Sequence, residues 1–373
     1  MRPKIAFLRP KPWPLANVKV AEALSEKFAD CDLHVIDLQS LIKNHIGIIA
    51  INTLVISWLY GWEMLSKNKK IREAFWRTPY MYNAIKRLLA KKLADTDYLF
   101  TFQMQSLFDG SQPGIPHFVY TDHTHLANLY YADFDRRKLY NQTWINLEKK
   151  IYENANITFV RSTHIRQSLI EQYGYPQENI WCVYAGSNIE IETSYTAKKK
   201  YDEQNILFVG IDWKRKGGPD LIEAFKIVQE NYPNATLTIV GASPQINEPN
   251  CEIVGKVPPQ KLKKYYEMAT LFCMPTYVEP FGIVFLEAMQ AQLPIVGTNV
   301  GAVPDFLKNG WNGWLVEPGD VQGLADAIMK LLNNPDLCRQ FGERNITLAQ
   351  ERYSWEAVGQ KFRTHILEVL SNP

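Results

Sequence analysis

Short β-branched runs alternate along the chain with longer stretches whose apolar positions recur every three to four residues. That alternation predicts an α/β protein with parallel sheets. In the first half, Lys4–Leu8, Leu33–Asp37, Tyr98–Gln103, His117–Thr121, Ile157–Arg161 and Ile180–Tyr184 read as strands. Helical spacing covers Asn17–Phe28, Arg137–Asn154 and Thr163–Tyr173. A polar stretch without apolar period, residues 187–204, then reads as a linker, so residues 1–186 form a first domain. The pattern restarts with Ile206–Val209 and runs through Thr236–Val240, Glu252–Val254, Leu271–Met274, Pro294–Val296 and Gly313–Val316, predicting a second doubly wound domain over 205–354. A last helix, Trp355–Leu370, follows Ser354 as N-cap; it packs on the second domain or back on the first, and local pattern leaves both open. In such a pair the ligand site is expected between the carboxyl edges of the two sheets.

Composition narrows the class. With 373 residues, 46% hydrophobic and 21% charged, the chain is neither disordered nor low-complexity. The net charge of +2 gives no bulk attraction to polyanions. Five scattered cysteines without a C-x-x-C exclude a zinc ribbon or disulfide framework and favour a reducing, cytoplasmic setting. The N-terminal MRPKIAFLRPKPWP does not read as a signal peptide.

The most informative stretch is MPTYVEPFGIVFLEAMQAQLPIVGTNVGAVPDFL, residues 274–307. A buried strand, a proline-bearing turn and a helix opening near Gly282–Ile283 follow one another. The N–H groups of Phe281, Gly282 and Ile283 at that helix start make an anion site, and Gly282 admits close approach. Glu279 lies in the turn; Glu287 lies one helical turn above Ile283 among apolar residues. A buried carboxylate there needs hydrogen bonds, from ligand hydroxyls or from a structural cation. A second feature, FVGIDWKRKGGPDLIEAF at 208–225, sets Lys214, Arg215 and Lys216 on a strand-to-helix loop before Gly217-Gly218, which suits a diphosphate. Neither a P-loop nor a G-x-G-x-x-G fingerprint is present, so ATPase and NAD readings lose support.

Together with the G-K-V-P of Gly255–Pro258 and P-I-V-G-T-N-V-G-A-V-P-D, these residues resemble the donor-binding domain of retaining glycosyltransferases of family four (glycosyl transferases group 1), which have the GT-B fold: two Rossmann-like doubly wound domains facing a central cleft. Glu279 and Glu287 match that family's E-x7-E pair. The resemblance implies that Lys216 binds the donor diphosphate and that Glu279 contacts the transferred sugar. It implies likewise that Phe281, Gly282 and Ile283 supply backbone donors, that Glu287 holds the ribose hydroxyls and that the main chain at Val257 meets the base. The family's Arg after the FVG strand is Ile211 here, and Arg215 or Lys214 is the candidate replacement. In YTDHTHLANLYY, His123 resembles the first-domain histidine near the transferring sugar, with His125 the competing choice. The implied activity transfers a sugar from a nucleotide diphosphate to a hydroxyl acceptor with retention. The alternatives are a nucleotide-sugar epimerase on the same fold and a non-catalytic binding module.

The D-x-D pairs Asp30–Asp32, Asp95–Asp97 and Asp133–Asp135 read as caps or turns rather than metal ligands, and no metal or other cofactor is expected. Residues 46–62, IGIIAINTLVISWLYGW, read as too short and interrupted for a confident membrane span. Residues 67–92 then carry nine basic side chains (Lys67, Lys69, Lys70, Arg72, Arg77, Lys86, Arg87, Lys91, Lys92) against Glu73, a local +8 that leaves the rest of the chain at −6. An apolar run followed by a basic, aromatic one suits an anionic membrane surface and a lipid acceptor; the other reading is a buried helix followed by a solvated one. No nucleic-acid motif accompanies the charge.

Overall fold

The computed structural model describes residues 2–12, 15–66, 68–94, 96–189 and 201–371. Most of the expected linker, 190–200, lies outside these residues, as do Trp13 and Pro14 of the loop after the first strand, Lys67 and Asp95. The chain divides into two compact units, Met1–Tyr184 with Val358–Pro373, and Ala185–Ala357.

The first unit is built on a six-stranded parallel sheet of β1 (Lys4–Arg9), β2 (Asp32–Asp37), β3 (Tyr98–Met104), β4 (His117–Thr121), β5 (Ile157–Val160) and β6 (Ile180–Cys182), in the order β2-β1-β3-β4-β5-β6. Every residue of β4 and β5 is buried, as a parallel sheet covered on both faces requires. The last strand stops two residues short of the expected end. Tyr184 adopts a left-handed φ of 64° and its carbonyl accepts from Tyr120 Oη at 2.5 Å. From Val358 onward the C-terminal helix Trp355–Ser371 belongs to this unit: Phe362 sits edge-on to Phe102, Tyr120 and Phe159, and Arg363 donates to the Lys27 carbonyl.

Two segments of this unit depart from expectation. The helix expected over Arg137–Asn154 is a 3-10 turn, Arg136–Lys138, and a separate helix, Gln142–Glu153. The break has a cause: the Tyr140 N–H donates to His125 Nε2 at 2.7 Å, and Asn141 caps the new helix by accepting from Trp144 N at 3.0 Å. The apolar run at 46–62 extends to a 20-residue helix, Ile46–Leu65, that is neither short nor buried. It is the one helix among the described residues apolar and long enough to cross a membrane, and only 17% of its most apolar window is buried. Asn52, Ile56 and Tyr60 face inward; Leu54, Trp58, Trp62 and Leu65 are each more than 70% exposed. Its polar interruptions are internally satisfied, Thr53 Oγ1 donating to Ile49 O at 2.9 Å and Ser57 Oγ to Thr53 O at 3.0 Å.

The second unit repeats the architecture with β7 (Asn205–Gly210), β8 (Thr236–Gly241), β9 (Cys251–Gly255), β10 (Leu271–Met274), β11 (Ile295–Thr298) and β12 (Gly313–Val316), in the order β12-β11-β10-β7-β8-β9. Chain order reverses between β7 and β10. In an open parallel sheet the crevice outside the carboxyl ends at such a switch point is where ligands bind.

Candidate functional site

Two loops meet at that switch point. After β7 the chain turns through Asp212–Gly217 into the helix Gly218–Asn231; after β10 it turns through Pro275–Gly282 into the helix Ile283–Gln290. They are tied by one main-chain and one side-chain bond: Tyr277 N donates to Arg215 O at 2.9 Å, and Arg215 Nη1 donates to Val278 O at 2.8 Å. Gly217 has φ 72°, and a Cβ there would lie 1.8 Å from Pro275 O, so only glycine allows this approach.

The consequence is a buried ion pair. Lys216 Nζ donates to Glu279 Oε2, with the residues 9% and 4% exposed. Burial pushes the Lys216 ammonium below its ordinary value and the Glu279 carboxylate pulls it back. Gly282 caps the following helix with φ 93° and no side-chain cap, and a Cβ there would press on Phe285 and on Glu279 Cγ. The helix start, Glu279 and Lys216 therefore share one spot, with backbone donors, a cation and a carboxylate side by side. Ile283 opens the helix, and Phe281 packs inward against Phe306 at 5.3 Å. Among the three basic residues of the first loop, only Lys216 is buried. Arg215 is committed to Val278 O and to Asp212, and Lys214 is exposed.

Glu287 is 4% exposed and is not paired with a cation among the described residues; it accepts from Tyr266 Oη at 2.8 Å. Burial pushes its carboxyl up to about 7, the Tyr266 bond opposing. A carboxyl raised on folding costs the folded state stability once the unfolded chain ionises. Stability should thus fall as pH climbs from about 4.5 to about 7 on this group's account. Val257 is half-buried in the turn between β9 and the helix Pro259–Met268, which also carries Tyr266. Tyr266 belongs to no motif; only its place on the inner face of an amphipathic helix could have drawn attention to it.

His123 lies in the first unit, after β4, where Thr121 Oγ1 donates to its carbonyl at 2.7 Å and Asn128 Nδ2 approaches its Nε2 at 2.9 Å. His125 is held differently. Its Nε2 accepts from the Tyr140 backbone N–H, and its own backbone N–H donates to the buried Glu148 carboxylate at 3.1 Å. Burial, and then the Arg77 charge, hold the His125 imidazole well below its ordinary range, at about 3. Sequence reading missed Glu148, which also receives Ser106, Tyr152 and Tyr173 hydroxyls.

Asp135 caps the 3-10 turn and binds Arg137, and Asp32 opens β2. Among the described residues no three His, Cys, Asp or Glu side chains stand together as metal ligands. The basic segment is less free than its composition suggests. Lys69 is 7% exposed, 3.4 Å from Glu63 and over the Tyr60 and Tyr140 rings, and Lys86 pairs with the fully buried Asp109. Lys70, Arg72, Arg87, Lys91 and Lys92 remain exposed.

Residues 191–347 match the family model for glycosyl transferases group 1, and residues 60–191 match that for Glycosyltransferase Family 4. The chain is 28% identical over 251 residues to a D-inositol 3-phosphate glycosyltransferase of Corynebacterium aurimucosum, covering 60% of this chain and 59% of that protein. It is 31% identical over 189 residues to an N-acetyl-alpha-D-glucosaminyl L-malate synthase of Bacillus anthracis, covering 46% of this chain and 49% of that protein. The chain thus spans less than two thirds of either relative. Among solved structures, sucrose-phosphate synthase of Thermosynechococcus elongatus superposes with a TM-score of 0.71 at 19% identity over the whole of both chains. HepE of Anabaena, in complex with UDP, superposes with 0.67 at 16% identity over 99% of this chain and 100% of that one.

Proposed function

The chain belongs to glycosyltransferase family four and has the GT-B fold, and from that premise we propose that it is a retaining hexosyltransferase moving a sugar from a nucleotide diphosphate to a hydroxyl acceptor. The observation that carries this reading is the Lys216–Glu279 pair lodged against the Gly282 helix start. As the bond from the anomeric carbon to the diphosphate breaks, negative charge grows on the leaving phosphate. Lys216 and the N–H groups at Gly282 and Ile283 stabilise it. The acceptor oxygen bonds to the anomeric carbon on the face the phosphate leaves, and its proton passes to a leaving-phosphate oxygen. Glu279 orients the sugar, Glu287 accepts from the ribose hydroxyls, and the main chain at Val257 meets the base. Glu279 is already engaged by Lys216, which suits an orienting role better than that of a free nucleophile. UDP in the HepE structure makes a uridine donor the first to test.

Glu287 provides the discriminating experiment. Its ionised form is the better acceptor, so UDP affinity should rise as pH passes through about 7. Glu287→Ala should lose about 1.5–3 kcal/mol of UDP binding and the pH dependence with it. Calorimetry showing unchanged affinity and an unchanged pH profile would contradict the assignment.

The reading assigns no metal, because fixed cations and backbone donors neutralise the diphosphate. Transfer should therefore survive excess EDTA; loss on chelation with recovery on Mg²⁺ or Mn²⁺ would overturn this part.

We extend the reading to a cytoplasmic enzyme lying on an anionic membrane with a lipid-linked acceptor. Five scattered cysteines without a C-x-x-C suit the reducing side. The outward Leu54, Trp58, Trp62 and Leu65, with the exposed Lys70, Lys91 and Lys92 downstream, suit interfacial binding, at about 1 kcal/mol per cation near the surface. Sedimentation with anionic vesicles should fall with salt, and Trp58→Ser with Trp62→Ser should reduce it. Equal sedimentation of wild type and double variant would remove the lipid surface from the account.

A further inference from the structure

The first unit contains a cavity that the donor site does not use. A space of about 200 Å³ lined by Gln105, Thr121 and Glu148 shares Arg77, His123 and His125 with a wider one of about 360 Å³, whose border includes Lys70 and Lys138.

Arg77 is held at the junction. The inner face of the helix Ile46–Leu65 grips the segment around it: Asn52 Nδ2 donates to Phe75 O at 2.9 Å, Thr78 Oγ1 to Asn52 Oδ1 at 2.5 Å, and Tyr60 Oη to Arg77 O at 2.7 Å. The guanidinium lies 5.0 Å over the Tyr140 ring and donates through Nη1 to Glu73 O, but its Nε has no partner among the described residues. Trp144 Nε1, fully buried, and His123 Nδ1 are likewise without partners.

All three are donors. Asn128 Nδ2 donates to the His125 carbonyl at 2.9 Å, which fixes that atom as the amino group. His123 Nε2, 2.9 Å away, must then accept, and the neutral ring carries its proton on Nδ1. The carboxylates at the cavity are already engaged. Glu148 receives four donors, Asp122 stands 3.6 Å from the buried Arg161, and Glu73 pairs with Lys70 at 3.9 Å. Among the described residues the lining sets three cations, Arg77, Lys70 and Lys138, against three carboxylates, Glu73, Asp122 and Glu148, so its charges balance; beside the Tyr140 hydroxyl, its buried polar atoms without partners are these three N–H donors. Buried donors left without partners are costly and call for an acceptor.

We propose that this cavity binds the phosphate group of a phosphorylated hydroxyl acceptor, its oxygens received by Arg77 Nε, His123 Nδ1 and Trp144 Nε1 and its charge by Arg77, Lys70 and Lys138. This rests on the reading of the first unit as the acceptor-binding one. The phosphate belongs either to a free polyol phosphate or to a lipid headgroup, and the same chemistry receives both.

The test is calorimetry on the full chain with UDP saturating, so that phosphate cannot occupy the donor site. Inorganic phosphate and glycerol 3-phosphate should bind, and glycerol should not. Arg77→Gln should weaken glycerol 3-phosphate binding by at least about tenfold, the loss of one charge-assisted bond. Lys70→Gln with Lys138→Gln, both on exposed side chains whose loss leaves the fold intact, should weaken it severalfold and flatten its salt dependence. UDP affinity should stay unchanged in every variant. Displacement of phosphate by a short-chain phosphatidic acid more strongly than by glycerol 3-phosphate assigns a lipid source; the reverse order assigns a free one. Glycerol binding as well as its phosphate, absence of saturable phosphate binding while UDP still binds, or equal phosphate affinity in wild type and variants overturns the proposal. Failure of UDP to bind while phosphate binds would instead count against the donor-site reading and leave this one standing.

Discussion

Lys216→Gln should slow sugar transfer by about 10²–10³-fold, the usual loss when one fixed group facing developing charge is removed. The loss should fall mainly on kcat, because the charge it meets grows as the phosphate leaves. The same substitution strands Glu279 in a buried site without its cation, which costs stability as well. The double variant Lys216→Gln with Glu279→Gln separates the two effects: the pair becomes neutral, so thermal stability should recover while turnover stays low. Initial rates and melting curves on the three proteins check this. Recovery of turnover in the double variant would mean that Lys216 serves the fold and not the reaction.

Gly217→Ala should be the most destabilising single substitution in the second unit, by about 3 kcal/mol or more. The added Cβ would sit 1.8 Å from a backbone oxygen, that of Pro275, at a left-handed φ, and the close atom is main chain rather than the end of a flexible side chain. Gly114→Ala makes the control. Its φ is 77° but nothing lies within 4 Å of the added carbon, so it should show only the left-handed backbone cost, about 1–2 kcal/mol. Urea unfolding of both variants measures the difference. Nucleotide affinity should fall for the Gly217 variant alone, since Lys216 is positioned by that contact.

The two parallel sheets were legible because buried strands are continuous apolar runs, and all twelve appear within two residues of where periodicity sets them. Glu279, Gly282 and Lys216 were legible as types in a spacing, but their meeting was not. It depends on Gly217 touching Pro275 and on β7 lying beside β10, a pairing across more than sixty residues. The role of Tyr266 was hidden for the same reason: its hydroxyl meets Glu287 from a helix with no motif. In the first unit, periodicity joined Arg137 to Asn154 because it cannot see His125 taking the Tyr140 N–H. The helix Ile46–Leu65 misled in another way. Apolar composition ordinarily means burial, yet this helix turns most of its apolar face outward and uses only Asn52, Ile56 and Tyr60 against its own unit. Charge counting misled too, since Lys69 and Lys86 are consumed by Glu63 and Asp109.

The most direct measurement is a structure of the full chain with an intact nucleotide-sugar donor. The account predicts the diphosphate against Lys216 Nζ and the N–H groups of Gly282 and Ile283, the ribose on Glu287, the base beside Val257 and the sugar at Glu279. A different result would contradict it: a nucleotide in the groove of about 610 Å³ at the opposite, amino edge of the second sheet, among Asn205, Thr236 and Asn250, with the Lys216–Glu279 pair untouched.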